Sequence, residues 1–132
     1  MNRKIRILIA KPGMDGHDKG ALIVSSKLRD EGFEVIYTGL RKTAEQITSA
    51  AIQEDADVIG LSMLSGSHLA LCKKVMDQIK KEDIEDKLVV LGGVIPDEDV
   101  DALKAMGINA VFTQSNSFDE MISFIKDNVN LG

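Results

Sequence analysis

One short stretch near the start of the chain stands out chemically. Lys11-Pro12-Gly13-Met14-Asp15-Gly16-His17-Asp18-Lys19-Gly20 holds one of only two histidines, set among three glycines and two aspartates. Asp15 and His17 are two residues apart. In a loop they can form a carboxylate–imidazole hydrogen bond, which fixes the tautomer and leaves the other ring nitrogen free as a ligand or base. The glycines would let the backbone approach a large ligand closely. The same residues also fit a plain glycine-rich turn whose aspartates, Asp18 among them, cap the next helix. Position alone leaves both readings open.

Two further stretches carry small or polar groups between apolar runs. Ser62-Met63-Leu64-Ser65-Gly66-Ser67-His68 offers hydroxyls, with Ser67 as an N-cap and His68 expected to be exposed in the first turn of the helix that follows. Gly92-Gly93 precedes Val94-Ile95-Pro96-Asp97, and a double glycine gives either a tight turn or a floor for a flat group. Pro96 followed by three acids, Asp97 to Asp99, suits a helix start.

The elements that position these stretches follow from periodicity. Ile5–Ala10, Glu34–Tyr37, Val58–Ser62, Leu88–Leu91 and Ala110–Phe112 are aliphatic runs without clean alternation, as expected of parallel strands covered on both faces. Between and after them lie helical patterns. These are Ala21, Val24 and Leu28; Ile47, Ala50 and Ala51; Cys72, Val75, Met76 and Ile79; Val100, Leu103 and Met106; and Phe118, Met121, Ile122, Ile125 and Val129. Thr43 with Gln46 forms a capping box, and Gly32 and Gly107 fit helix ends. The alternation predicts an α/β, flavodoxin-like, doubly wound parallel sheet of order 2-1-3-4-5, with residues 1–132 forming a single domain. Ligands of such sheets bind beyond the carboxyl ends of the strands, at the switch point between the first and third. The stretches after Ala10, Ser62 and Leu91 all fall there.

Composition removes many alternatives. The 132 residues carry 16 Lys+Arg against 21 Asp+Glu, a net charge of −5, which argues against nucleic acid or an anionic membrane surface. The pairs Lys73-Lys74 and Lys80-Lys81 read as solvated helix surface, the second running into Glu82 and Asp83. One cysteine excludes a disulfide framework or a multi-cysteine metal cluster, and Cys72 sits at helical spacing among apolar residues. No signal h-region or membrane span is visible, so a cytoplasmic location is expected. Gly13, Gly16 and Gly20 have the wrong spacing for a dinucleotide fingerprint. A response-regulator receiver would need acids after strand one and an aspartate after strand three, where this chain has Lys11 and Ser62. A flavodoxin would want aromatic flanks for the flavin, yet there is no Trp and one Tyr. A one-histidine metal site makes sense if another group supplies the remaining ligands, as a corrin does.

The three stretches together resemble a known family. Asp15-Gly16-His17-Asp18-Lys19-Gly20 matches the Asp-x-His-x-x-Gly signature of cobalamin-binding domains, Ser62-Met63-Leu64 their Ser-x-Leu element, and Gly92-Gly93 their paired glycines. The surrounding residues resemble the cobalamin domain of methylmalonyl-CoA mutase and related acyl-CoA mutases. The resemblance implies a cofactor-binding small subunit of an isomerase that holds adenosylcobalamin base-off. His17 would be the lower axial ligand of cobalt, with Asp15 on its distal nitrogen and Lys11 steadying Asp15. The displaced nucleotide tail would run between the sheet and the first helix. There Gly16, Asp18 and Gly20 would contact the cofactor, and Ser62, Leu64, Gly92 and Gly93 would line the slot. The family's Gly-Pro-Gly-Thr turn after strand five is replaced by Thr113-Gln114-Ser115-Asn116.

The resemblance further implies a partner, a larger barrel-type mutase subunit carrying the acyl-CoA site, without which the chain is inactive. Methylmalonyl-CoA is the expected substrate, and 2-hydroxyisobutyryl-CoA or another branched acyl-CoA the alternative. A corrinoid methyl carrier and a cobalamin delivery protein are the readings from other classes. Methyl carriers usually place a helical cap before the first strand, and the start of strand one near Ile5 favours the mutase class.

Overall fold

A computed structural model describes residues 4–12, 19–39, 42–63, 67–113 and 115–129. Five strands, β1 (Arg6–Ala10), β2 (Glu34–Tyr37), β3 (Val58–Met63), β4 (Leu88–Gly93) and β5 (Ala110–Phe112), form a parallel sheet of order β2-β1-β3-β4-β5. The strand order is the expected one. Helices α1 (Lys19–Asp30) and α5 (Phe118–Asn128) cover one face. Helices α2 (Ala44–Gln53), α3 (His68–Lys81) and α4 (Val100–Ala105) cover the other.

The two faces are packed differently. Leu8, Ile59, Leu61, Val89 and Leu91 meet Ile47, Cys72, Val75, Ile79 and Leu103 in a continuous core on the α2/α3/α4 side. On the α1/α5 side Ile7, Ile9, Val58 and Val90 meet Ala21, Leu28, Ile122 and Ile125. Because alternate residues of a strand face opposite ways, the second face is built in rows across the sheet. One row is Ile9–Gly60–Val90–Ala110, and the row above it runs through Ser62, Gly92 and Phe112. Both rows contain a glycine.

Local signals hold where the chain supplies them. Thr43 accepts from the Gln46 backbone N–H while the Gln46 side chain accepts from the Thr43 N–H, the reciprocal capping box. Gly32 and Gly107 end their helices with positive φ. Two expectations need correction. The double glycine does not end β4, which continues through Gly93 and pairs Gly92 with Ser62 and Gly93 with Met63. His68 is not exposed but 5% accessible, with Nε2 2.6 Å from Asp99 Oδ2. That contact links the start of α3 to the short 3₁₀ turn Asp97–Asp99 that leads into α4. Ser67 occupies the N-cap position of α3 without a side-chain capping bond.

Cys72 is fully buried beside Met63, 3.5 Å from sulfur to sulfur, and burial pushes its thiol up from 9.0 to about 12. The thiolate is the reactive form, so the native protein should be inert to a disulfide-exchange reagent at pH 8 and react only on unfolding. The folded pKa lies above the unfolded one, so this group's contribution to stability is complete below pH 9 and is lost as pH rises toward 12. Rapid labelling of native protein at pH 8 would contradict this packing.

Candidate functional site

The groove lies between α1 and α5, beneath the carboxyl ends of β1, β3 and β4. Its floor is the two glycine-containing rows. A Cβ on Gly60 would sit 2.8 Å from Ile9 Cδ1 and 3.8 Å from a Val90 methyl, so the Ile9 side chain packs over the glycine and both residues line the groove floor. Gly20, Ala21, Val24 and Lys27 form the α1 wall. Phe112, Phe118 and Met121 form the opposite one, and Thr113, Asn116 and Ser117 close the upper rim. The cavity holds about 350 Å³ and is mostly apolar, within the ~300–1,000 Å³ usual for small-molecule sites.

The described site residues converge on this place. Lys11, at the end of β1, is 2% exposed and donates from Nζ to the Ser62 carbonyl at 3.1 Å, tying the ends of β1 and β3 together. A buried ammonium is costly unless it is hydrogen-bonded, so its position is set by that end of the sheet. Ser62, Gly92 and Gly93 line the groove, and Gly20 opens α1 beside it. A Cβ at Gly20 meets no described atom within 4 Å, so the described residues leave open space beside it. Asp15, Gly16, His17, Asp18 and Leu64 lie outside the described residues.

The paired glycines do different jobs. Gly93 has φ +140°, and a Cβ there would fall 1.8 Å from the Met63 carbonyl oxygen, so the backbone itself demands glycine. Gly92 is under no such constraint, since its Cβ would meet Met121 and Phe112 only at 3.9 Å. Its missing side chain serves the cavity.

Comparison with known proteins agrees with this geometry. The B12 binding domain family matches residues 5–121. The chain belongs to that family. It is 43% identical to the small subunit of 2-hydroxyisobutanoyl-CoA mutase from Aquincola tertiaricarbonis, over 92% of this chain and 90% of that one. It is 44% identical to ethylmalonyl-CoA mutase from Methylorubrum extorquens over 82% of its own length, but spans only 16% of that longer protein. The crystal structure of a cobalamin-binding protein from Desulfitobacterium hafniense superposes with a TM-score of 0.83 at 22% identity, covering 97% of this chain and 60% of the other, and shows the shared fold. Within the B12-binding family, the relatives place the chain among the cobalamin-binding subunits of acyl-CoA mutases.

Sequence reading missed Gly60, Val24, Lys27, Phe118 and Met121 as groove residues. Gly60 carried a usable signal, because a glycine inside a buried strand marks a bulge or a close approach. The others are ordinary members of amphipathic helices, and only the packing turns them toward the groove.

Substituting the paired glycines should separate their roles. Gly93→Ala should destabilise the fold by about 2–4 kcal/mol in urea denaturation, from strain plus a backbone clash. Gly92→Ala should cost less than about 1 kcal/mol, while narrowing the groove. Equal losses for the two would show that both glycines serve the backbone.

Proposed function

We propose that this chain holds adenosylcobalamin for an acyl-CoA mutase whose substrate site lies on a larger, barrel-type partner subunit. The observation that carries this reading is the groove floored by Gly60 and Gly92. It is an apolar slot opening at the strand ends, where Gly20, Ser62 and the paired glycines line it. Its shape and lining suit an extended group with a flat apolar end, as the nucleotide tail of cobalamin is once displaced from cobalt.

In this reading His17 takes the lower axial position on cobalt, and Asp15 accepts from its other ring N–H. The imidazole must be neutral to bind, and the carboxylate selects the tautomer. Lys11 steadies Asp15 from the fixed position that its bond to the Ser62 carbonyl gives it. Gly16, Asp18 and Gly20 contact the cofactor from the first loop, and Leu64 borders the slot beside Ser62. Bound adenosylcobalamin supplies a cobalt–carbon bond that breaks homolytically. This chain grips the lower side of the corrin and leaves the reactive side to the partner.

Support for a partner comes from the rim. Leu22 and Ile23 at the start of α1, Leu69 at the start of α3 and Val94 after β4 are large apolar side chains exposed at the same end of the sheet as the groove. Apolar surface gathered around a ligand mouth suits a docking face. Radical chemistry also needs a site closed to water and stray hydrogen donors, which a second subunit would complete.

In the cob(II)alamin form, nitrogen hyperfine coupling from the imidazole should be visible and should vanish in His17→Ala; an unchanged pattern would sink the axial assignment. Asp15→Asn should weaken cobalamin binding about 10–100-fold without abolishing it. Rearrangement should appear only when this chain, adenosylcobalamin and the large subunit are mixed, with 2-hydroxyisobutanoyl-, ethylmalonyl- and methylmalonyl-CoA as the panel. Substantial turnover by this chain and cofactor alone would overturn the subunit reading.

A further inference from the structure

We infer that Lys27 is the anion contact of the groove and pairs with the phosphodiester of the cobalamin nucleotide tail, an inference that rests on the groove holding that tail. Lys27 is the single charged residue among the described residues that line the groove; every other lining residue is apolar, glycine or a neutral polar group. Its ammonium lies 5.4 Å from the centre of the Phe118 ring on the opposite wall, bridging α1 and α5 across the slot. It has no carboxylate partner among the described residues.

The placement suits a phosphodiester. Lys27 is seven residues after Gly20, about 10 Å further along α1 at the helical rise. Helical side chains lean toward the helix N-terminus, so the lysine stem points back toward the mouth of the groove. A ligand entering from the strand ends would thus meet apolar walls on both sides and one cation within reach of its middle. An aromatic base linked through a singly charged phosphodiester has that distribution of chemistry. The bare corrin, whose side chains are neutral amides, does not. With the anion bound, a charge-assisted hydrogen bond replaces the weaker cation–π contact, and the ammonium moves off Phe118.

The test compares cobalamin with cobinamide, which has the same corrin but lacks phosphate, ribose and base. Each is titrated into the native chain, Lys27→Met and Lys27→Arg at low and high salt. Lys27→Met keeps most of the apolar stem at an exposed position, and thermal unfolding checks that the fold is unchanged. The expected result is that Lys27→Met binds cobalamin about five- to tenfold more weakly, with cobinamide affinity unchanged. The salt dependence of cobalamin binding should shrink in Lys27→Met, and Lys27→Arg should restore both affinity and salt dependence. If Lys27→Met keeps the full preference for cobalamin over cobinamide, Lys27 is not the contact, although the groove still holds the tail. If the native chain itself shows no such preference, the groove is not the tail site and the Lys27 assignment falls with it.

Discussion

The constraint on which the rest depends is where the chain goes on leaving the two central strands. From β1 it crosses to the face that carries α1 and α5, and from β3 to the face that carries α3. Two neighbouring parallel strands whose connections depart to opposite faces cannot close the space above their ends. That opening costs nothing extra, because the strand order creates it. What is particular to this chain is that the opening continues downward. Gly60 and Gly92 remove side chains from two successive rows of the α1/α5 face, and Ala110 lies at the end of the lower one.

Withholding those side chains works against stability. Each buried branched aliphatic group would contribute roughly 1.5–3 kcal/mol, and a glycine within a strand adds backbone entropy to be lost on folding. The α2/α3/α4 face is filled more fully, its buried strand residues being Leu, Ile, Val and Met apart from Ala10 at the end of β1. A division of labour follows, in which one face of the sheet anchors the fold and the other is left incomplete for a ligand. The Lys11 ammonium fits the same pattern, a costly buried charge just past the end of β1 that donates to the carbonyl of the groove residue Ser62.

Much of this was legible because it is local. Continuous aliphatic runs announced covered parallel strands, and the capping box at Thr43 and the glycines after α1 and α4 marked helix ends within a few residues. In sequence, the three motifs follow the strands beyond whose carboxyl ends the topology expects a ligand. What escaped depends on partners distant in sequence. The burial of His68 requires Asp99, 31 residues away, and nothing near His68 signals it. The double glycine reads equally as a tight turn or as a floor until β3 is seen to pair with it through Met63. Lys27 looks like any solvent-facing helix residue until α5 packs opposite.

The two glycines of the Gly92-Gly93 pair show why motif and mechanism must be kept apart. Read as a motif, they are one element with one meaning. Read as geometry, Gly93 sits against the Met63 carbonyl in a conformation that only glycine adopts readily, whereas Gly92 has ordinary room and faces the slot. The first fixes how β4 leaves the sheet, and with it the position of Val94 on the exposed apolar rim. The second keeps the trough open toward Phe112 and Met121. The pair therefore couples the two surfaces that the cofactor and the partner would use, because a change in how β4 ends moves both the floor of the groove and the edge against which another subunit would rest.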